Sequence, residues 1–144
     1  MSANLIQPNV FLRRVLFADA AVSAAVGAVM ALGANLLQSL LGLPAPLLMV
    51  AGAALFPYAA YLVWVATRGS LPRAAVWVPI VLNVVWAADC LLVLFAAGLT
   101  PTWLGEAFVA IQIVTVLAFA ELEFIGLRRA LSLPRAAPDQ RLHA

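Results

Sequence analysis

Four long apolar stretches restrict what this chain can fold into more than any other feature of its sequence. They lie at about 12–32, 45–67, 74–97 and 103–128, and segments containing Gly or Pro separate them. At about 1.5 Å per residue, a helix of this length crosses the hydrocarbon core of a bilayer, which is about 30 Å thick. Only 10% of the residues are charged, against about 25% in an average soluble domain. We therefore predict an all-α integral membrane protein whose single domain, residues 1–130, is a four-helix transmembrane bundle.

Two segments outside the four apolar stretches need separate interpretations. The tail, residues 131–144, carries three charged residues and two prolines, which favours a disordered cytoplasmic extension. The segment from Gly33 to Pro44 places Asn35 and Gln38 among leucines, with Gly or Pro at both ends. It forms either a short amphipathic helix at the membrane surface or an extension of the first helix beyond the bilayer. The sequence fits both alternatives.

The basic residues, all of them arginine, indicate how the bundle is oriented. They lie before the first apolar stretch, between the second and third, and after the fourth: Arg13, Arg14, Arg68, Arg73, Arg128, Arg129, Arg135 and Arg141. Because cytoplasmic segments of membrane proteins are enriched in Arg and Lys, we predict that both termini are cytoplasmic, in a bacterial-type inner membrane. The net charge is only +2 and is spread over these small groups, which excludes a nucleic-acid-binding surface.

The third apolar stretch contains the polar residues that first suggest a binding site. Asn83, Trp86 and Asp89 occur there without a nearby basic residue, and a charged side chain at the bilayer centre costs about 3 kcal/mol. We therefore expect Asp89 to face the bundle interior, where side chains of the second and fourth stretches can donate hydrogen bonds to it. Such an acid can carry a proton or bind a cation. The candidate substrate- or ion-binding residues are Asp89, Asn83 and Trp86 with three further polar residues, Gln112, Thr115 and Tyr58.

A second group of acids lies closer to the arginines and forms a candidate cytoplasmic-side cluster. Asp19 is about one to two turns inside the first stretch, and Glu121 and Glu123 are about as far from the end of the fourth. Glu121 and Glu123 point to roughly opposite faces of a helix, so we expect Glu123 to be the one that joins Asp19. The group is either a functional acid pair or an arginine–carboxylate contact that ties the first helix to the fourth.

Most of these polar residues also have a purely structural interpretation. Polar side chains form hydrogen bonds between transmembrane helices, worth about 0.6 kcal/mol per pair, in proteins that transport nothing. This interpretation is favoured for four residues, Ser23, Asn83, Gln112 and Thr115. A carboxyl group as deep as that of Asp89 is more costly, so its presence calls for a functional explanation as much as for a structural one.

The sequence contains no arrangement typical of an enzyme or a metal protein. Cys90 is the only cysteine and His143 the only histidine, which leaves no ligand set for zinc or haem b and no partner for an intrachain disulfide. No nucleophile–base arrangement or phosphate-binding loop is present either. We therefore predict a protein that is not an enzyme and that uses no cofactor and no metal.

Two functional hypotheses agree with these features. The first is a non-enzymatic membrane protein that binds or scaffolds, as a homo-oligomer or as a subunit of a larger complex in the lipid bilayer. It is favoured by the very small mass outside the membrane. The second is a small proton-coupled transporter or channel that uses an intramembrane acid, either Asp89 or Asp19 with Glu123. Because a four-helix monomer offers little room for a pathway, the second hypothesis calls for a dimer.

Overall fold

The computed structural model of the protein describes residues 5–95 and 98–132, and these form five helices and one short pair of strands. The elements are β1 (Leu5–Ile6), α1 (Val10–Leu32), α2 (Ala34–Leu41), α3 (Ala45–Thr67), β2 (Leu71–Pro72), α4 (Arg73–Phe95) and α5 (Trp103–Ser132). Four of the helices, α1, α3, α4 and α5, are long and apolar enough to cross a membrane. The predicted all-α bundle of four spanning helices is therefore confirmed.

The ends of two helices differ from the sequence-based boundaries. Helix α1 begins at Val10, two residues early, because the Asn9 side chain caps it by accepting a hydrogen bond from the Leu12 amide at 2.7 Å. Helix α5 continues to Ser132, so the first two residues assigned to a disordered tail are helical. The apolar pattern ended at Arg128 and Arg129, which are charged but are compatible with a helix. Residues 133–144 of the predicted tail, and residues 96–97 of the third stretch, lie outside the described residues.

Helices α1 and α3 pack with their backbones in close contact. A Cβ atom added at Gly27 would lie 2.8 Å from the Gly52 carbonyl oxygen, and one added at Gly52 would lie 2.6 Å from the Ala31 amide nitrogen. Glycine allows this approach because dispersion between closely packed surfaces, rather than the hydrophobic effect, drives helix association in lipid. Helices α4 and α5 form a second pair, and α1 also packs against α5 to complete the bundle.

One end of the bundle carries the arginines, and we call it the arginine end. It contains the start of α1, the end of α3, the start of α4 and the end of α5, and antiparallel pairing of β1 with β2 joins the first of these to the connection between α3 and α4. The Arg13 guanidinium donates hydrogen bonds to the carbonyl oxygens of Ala66 at 3.1 Å and Arg68 at 2.8 Å. These bonds satisfy carbonyl groups that the end of α3 would otherwise leave without partners.

The opposite end of the bundle, the far end, is formed by α2 and the connection before α5. Gly33 ends α1, and Ala34–Leu41 forms a separate helix rather than an extension of the first. Gly42 ends α2 in the left-handed conformation, with φ of 68°, which favours glycine. The Thr102 amide then donates to the Leu41 carbonyl at 2.9 Å, so the two far-end connections are joined directly.

Candidate functional site

Five polar side chains meet in the interior of the bundle, and we call them the acid cluster. They are Asp19 and Ser23 of α1, Tyr58 of α3, Asn83 of α4 and Glu123 of α5. The two acids are almost completely buried, with exposed fractions of 1% for Asp19 and 0% for Glu123. Each of the four long helices contributes at least one member, so the cluster exists only in the assembled bundle.

The Asp19 carboxylate is the best-bonded group of the cluster. Its Oδ1 atom accepts a hydrogen bond from the Ser23 hydroxyl at 3.0 Å. Its Oδ2 atom accepts from the Tyr58 hydroxyl at 2.8 Å and from the Asn83 side-chain amide at 3.0 Å. Three donors to one carboxylate offset much of the cost of removing it from water. Because the donors come from α1, α3 and α4, Asp19 also holds these helices in register.

The Glu123 carboxylate is bonded far less well than that of Asp19. Its Oε2 atom lies 3.5 Å from the Asn83 side-chain nitrogen, at the limit of a hydrogen bond, and its Oε1 atom is buried without a partner among residues 5–95 and 98–132. An unpartnered buried polar atom costs about 1–3 kcal/mol. The Asn83 amide therefore lies between two carboxyl groups, and its hydrogen bond to Asp19 is much better than its contact with Glu123.

Within the part of the chain that the structure describes, every hydrogen-bond donor to the acid cluster is electrically neutral. The interpretation of this group as an arginine–carboxylate contact placed a guanidinium beside Asp19 or Glu123, but Asp19 bonds to hydroxyls and an amide instead. Arg13, the arginine of α1 with hydrogen bonds inside the bundle, donates to backbone carbonyls at the arginine end. That interpretation was therefore wrong for Arg13, whose donors were already needed at the end of α3.

The acid cluster contains residues from both of the predicted groups, the deeper polar residues and the cytoplasmic-side acids. Asp19, Tyr58, Asn83 and Glu123 each lie nine or ten residues from the arginine end of their own helix, which is about 14 Å along the axis. Distance to the nearest arginine in the sequence predicts a deeper layer for Tyr58 and Asn83 than for the two acids. This prediction underestimates the depth of both acids, because Arg13 lies inside α1 and α5 continues beyond its arginines.

The expectation that Asp89 faces the bundle interior was wrong. Asp89 is exposed on the surface of α4, and the expected donor Tyr58 bonds to Asp19 instead. A second expected donor, Gln112, accepts a hydrogen bond from the Trp86 indole at 3.1 Å. The reason is helical geometry: six residues separate Asp89 from the buried Asn83, which turns its side chain about 120° away from the interior.

The remaining candidates fall outside the acid cluster. Thr115 is half-buried on α5, and Glu121 is exposed on the same helix, on the opposite side from Glu123. The choice of Glu123 over Glu121 as the neighbour of Asp19 thus agrees with the structure. Ser23 was not among the candidates, although its position one turn after Asp19 was a signal that the two side chains could meet.

A groove opens on the outer surface of the bundle in its far half. It has a volume of about 440 Å³ and lies between α3, α4 and α5, with Met30 of α1 at its base. Its lining is mostly aliphatic and aromatic and includes Leu47, Val50, Trp86, Asp89, Leu92 and Phe108. Asp89 is the only charged residue of the lining, and neither Asp19 nor Glu123 belongs to it. The acid cluster and this groove, which we call the Asp89 groove, are separate features.

Comparison with known proteins leaves the interpretation to the geometry of the chain itself. No protein-family model, no curated protein and no solved structure matches the sequence or the fold. Within residues 5–95 and 98–132, no group of three or more His, Cys, Asp or Glu side chains could hold a metal ion. The polar groups that the structure brings together in the acid cluster are carboxyl, hydroxyl and amide groups.

Proposed function

We propose that this protein is a small proton-coupled membrane transporter in which Asp19 and Glu123 carry the proton. The observation that supports this proposal is the meeting of two buried carboxyl groups at one neutral amide, with Oε1 of Glu123 unpartnered. Two carboxylate charges that lie on either side of one amide in a buried interior repel each other strongly. A buried charge needs a cation or a proton nearby. One proton on the pair removes one of the two charges.

A proton fits this site better than a larger ligand does. The members of the acid cluster contact one another directly, and the Asp89 groove does not reach them. Coordination of a metal ion or an organic cation would require space between the two carboxyl groups, where the Asn83 amide already lies. A proton needs no such space.

Protonation of the pair is coupled to helix packing because its hydrogen bonds cross between helices. Asp19 receives bonds from α3 and α4, and Glu123 brings α5 to the same point. A change in charge at either acid alters the strength of several interhelical contacts at once. A transporter needs this property, since the bound proton must favour one arrangement of the helices over another.

Infrared difference spectroscopy of the protein in lipid tests whether the pair holds a proton. We expect the carbonyl stretch of a protonated carboxylic acid in the wild type, and its loss in Glu123→Gln. The matched control is Glu121→Gln, which removes an exposed acid from the same helix and should leave the band in place. A band that survives in both Glu123→Gln and Asp19→Asn would exclude this pair as the proton carrier.

A flux assay tests the transport part of the proposal. Wild-type protein in vesicles with an internal pH dye is exposed to panels of small cations, amines and neutral solutes under an imposed pH gradient. We expect a solute-dependent proton flux that Asp19→Asn and Glu123→Gln abolish and that Glu121→Gln retains. Equal flux in all four proteins, or no flux with any solute, would leave the acid pair without a transport role.

The binding or scaffolding role is the second candidate, and the outer surface of α5 favours it. Ile111 and Val114 are 66% and 69% exposed there, and they can face lipid tails or another transmembrane helix. In this role the protein forms a homo-oligomer or joins a membrane complex, in the cytoplasmic membrane with the arginine end inside. Light scattering in detergent measures the mass of the protein and so distinguishes a homo-oligomer from a complex with other proteins. A monomer free of other proteins would count against the binding or scaffolding role.

A further inference from the structure

Asp89 is a charged side chain exposed on a surface that otherwise suits lipid. Among the described residues that line the Asp89 groove it is the only charged one, and the rest of the lining is aliphatic or aromatic apart from Cys90 and Gln112. A carboxylate in contact with hydrocarbon is costly unless a cation or a donor accompanies it. Gln112, whose Oε1 atom accepts from the Trp86 indole, makes no hydrogen bond to Asp89 within the described residues. The groove therefore combines a large apolar surface with one negative charge that calls for a positive partner.

The position of Asp89 along the membrane defines where that partner would come from. Asp89 is 16 residues after Arg73 on α4, which is about 24 Å at 1.5 Å per residue. Since the hydrocarbon core is about 30 Å thick, the carboxyl group lies within about 6 Å of the far interface. A molecule whose head group occupies the far interface and whose tail lies among the lipid chains can reach Asp89 and the apolar walls together.

We infer that the Asp89 groove binds an amphiphile with a cationic head group and a single hydrocarbon tail. The head group pairs with the Asp89 carboxylate between the apolar walls formed by Leu47, Val50 and Leu92, and the tail continues past Trp86 into the lipid. The volume of about 440 Å³ is within the range of about 300–1,000 Å³ typical of small-molecule sites. A neutral lipid chain would leave the carboxylate unpaired, and an anionic amphiphile would be repelled. This site does not depend on the proton-carrying role of the acid cluster.

Fluorescence quenching of Trp86 tests the inference directly, because this indole is part of the groove wall. The other three tryptophans, Trp64, Trp77 and Trp103, are replaced by Phe, and the protein is placed in nanodiscs of zwitterionic lipid. The probe is a trimethylammonium amphiphile with a brominated alkyl chain, compared with a zwitterionic phosphocholine amphiphile that carries the same chain. We expect saturable quenching by the cationic probe at concentrations where the zwitterionic probe quenches little.

Substitutions then show whether the charge and the shape of the groove both matter. Asp89→Asn should weaken binding of the cationic probe about tenfold, which corresponds to about 1.4 kcal/mol. Asp89→Glu, which keeps a carboxyl group, should retain most of the wild-type affinity. Ala51→Phe should also abolish binding, because Ala51 lines the groove and the larger ring fills it. The matched control is Glu106→Gln, which removes an exposed acid from the same end of the bundle and should change nothing. The Glu123→Gln variant should bind the cationic probe with wild-type affinity, which shows that this site is distinct from the acid cluster.

Three results would overturn the inference. Equal quenching by the cationic and zwitterionic probes, unaffected by Asp89→Asn, would mean that the groove holds ordinary lipid. Absence of quenching in a protein that runs as a dimer would mean that a second copy covers the groove. Absence of quenching in a monomer would mean that the charge of Asp89 is neutralised without any ligand.

Discussion

Replacement of Tyr58 by Phe removes one hydroxyl from the acid cluster and changes little else. The Tyr58 hydroxyl donates to the Asp19 carboxylate at 2.8 Å. One turn further along α3, the Tyr61 hydroxyl donates to the Ala75 carbonyl at 2.9 Å. Tyr61→Phe is therefore a matched control, since both substitutions remove a tyrosine hydroxyl that bonds to another part of the chain. The two differ in the acceptor, a carboxyl group in one case and a backbone amide in the other.

The acceptor determines how large each effect should be. Hydrogen bonds to charged groups contribute about 1.5–3 kcal/mol and those between neutral groups about 0.5–1.5 kcal/mol. Interhelical bonds in membranes average about 0.6 kcal/mol and reach about 1.7 kcal/mol. We therefore expect Tyr58→Phe to lower the free energy of unfolding by about 1.5 kcal/mol, and Tyr61→Phe to lower it by about 0.6 kcal/mol. The first value is larger because the acceptor is a carboxyl group, to which Ser23 and Asn83 also donate.

Unfolding in mixed micelles by added dodecyl sulfate, followed by circular dichroism, measures both values. A double-mutant cycle of Tyr58→Phe with Asp19→Asn gives the coupling energy of the pair, which we expect to be about 1 kcal/mol or more. Equal losses in the two tyrosine variants, or a coupling energy indistinguishable from zero, would refute the reasoning. In that case the hydrogen bonds of Asp19 would be ordinary interhelical contacts.

Two other features of the bundle give predictions that are independent of the acid cluster. Gly52→Ala should lower the free energy of unfolding by about 1–3 kcal/mol, because the added Cβ would lie 2.6 Å from a backbone nitrogen of α1. Gly69→Ala is the control and should change stability little, because the space around Gly69 is open. The same dodecyl sulfate titration checks this pair, and equal stability would contradict the close packing of α1 and α3. In a variant with Cys90 replaced by Ala, cysteines introduced at Ser70 and at Thr100 should react with an impermeant thiol reagent from opposite sides of the membrane, with Ser70 cytoplasmic. Labelling of both from one side would contradict the four-span topology.

Much of the fold could be predicted because apolar length and arginine distribution are strong, local signals. The four spanning helices follow from stretches long enough to cross the hydrocarbon core, and no alternative structure satisfies their backbone groups in lipid. The ends were less certain. Asn9 extends α1 through a side-chain cap, and α5 continues through polar residues that a hydropathy pattern assigns to water. Such extensions depend on capping and packing rather than on apolarity.

The candidate site was predicted in composition but not in arrangement. The pairing of Asp19 with Glu123 was one of the alternatives, and Asn83 and Tyr58 were candidates in a different group. Nothing in the sequence joined the two groups, because depth was counted from loops and helix rotation was known only relative to each helix. Asp89 shows the limit most clearly: its burial was inferred from the cost of a charge in lipid, whereas its direction depends on how α4 is rotated against its neighbours.

The participation of all four long helices in the acid cluster has a consequence for how the chain is made. During synthesis Asp19 enters the membrane with Ser23 as its own-helix donor, then gains Tyr58 and Asn83 as the later helices arrive. Its last companion, Glu123, follows 104 residues after it, which at about 5–20 residues per second means a delay of about 5 to 20 seconds. In a nascent chain that stops before α5, the face of α1 that packs against α5 is therefore exposed to lipid. Truncated products of this protein should be natural targets for the proteases that survey newly inserted membrane chains.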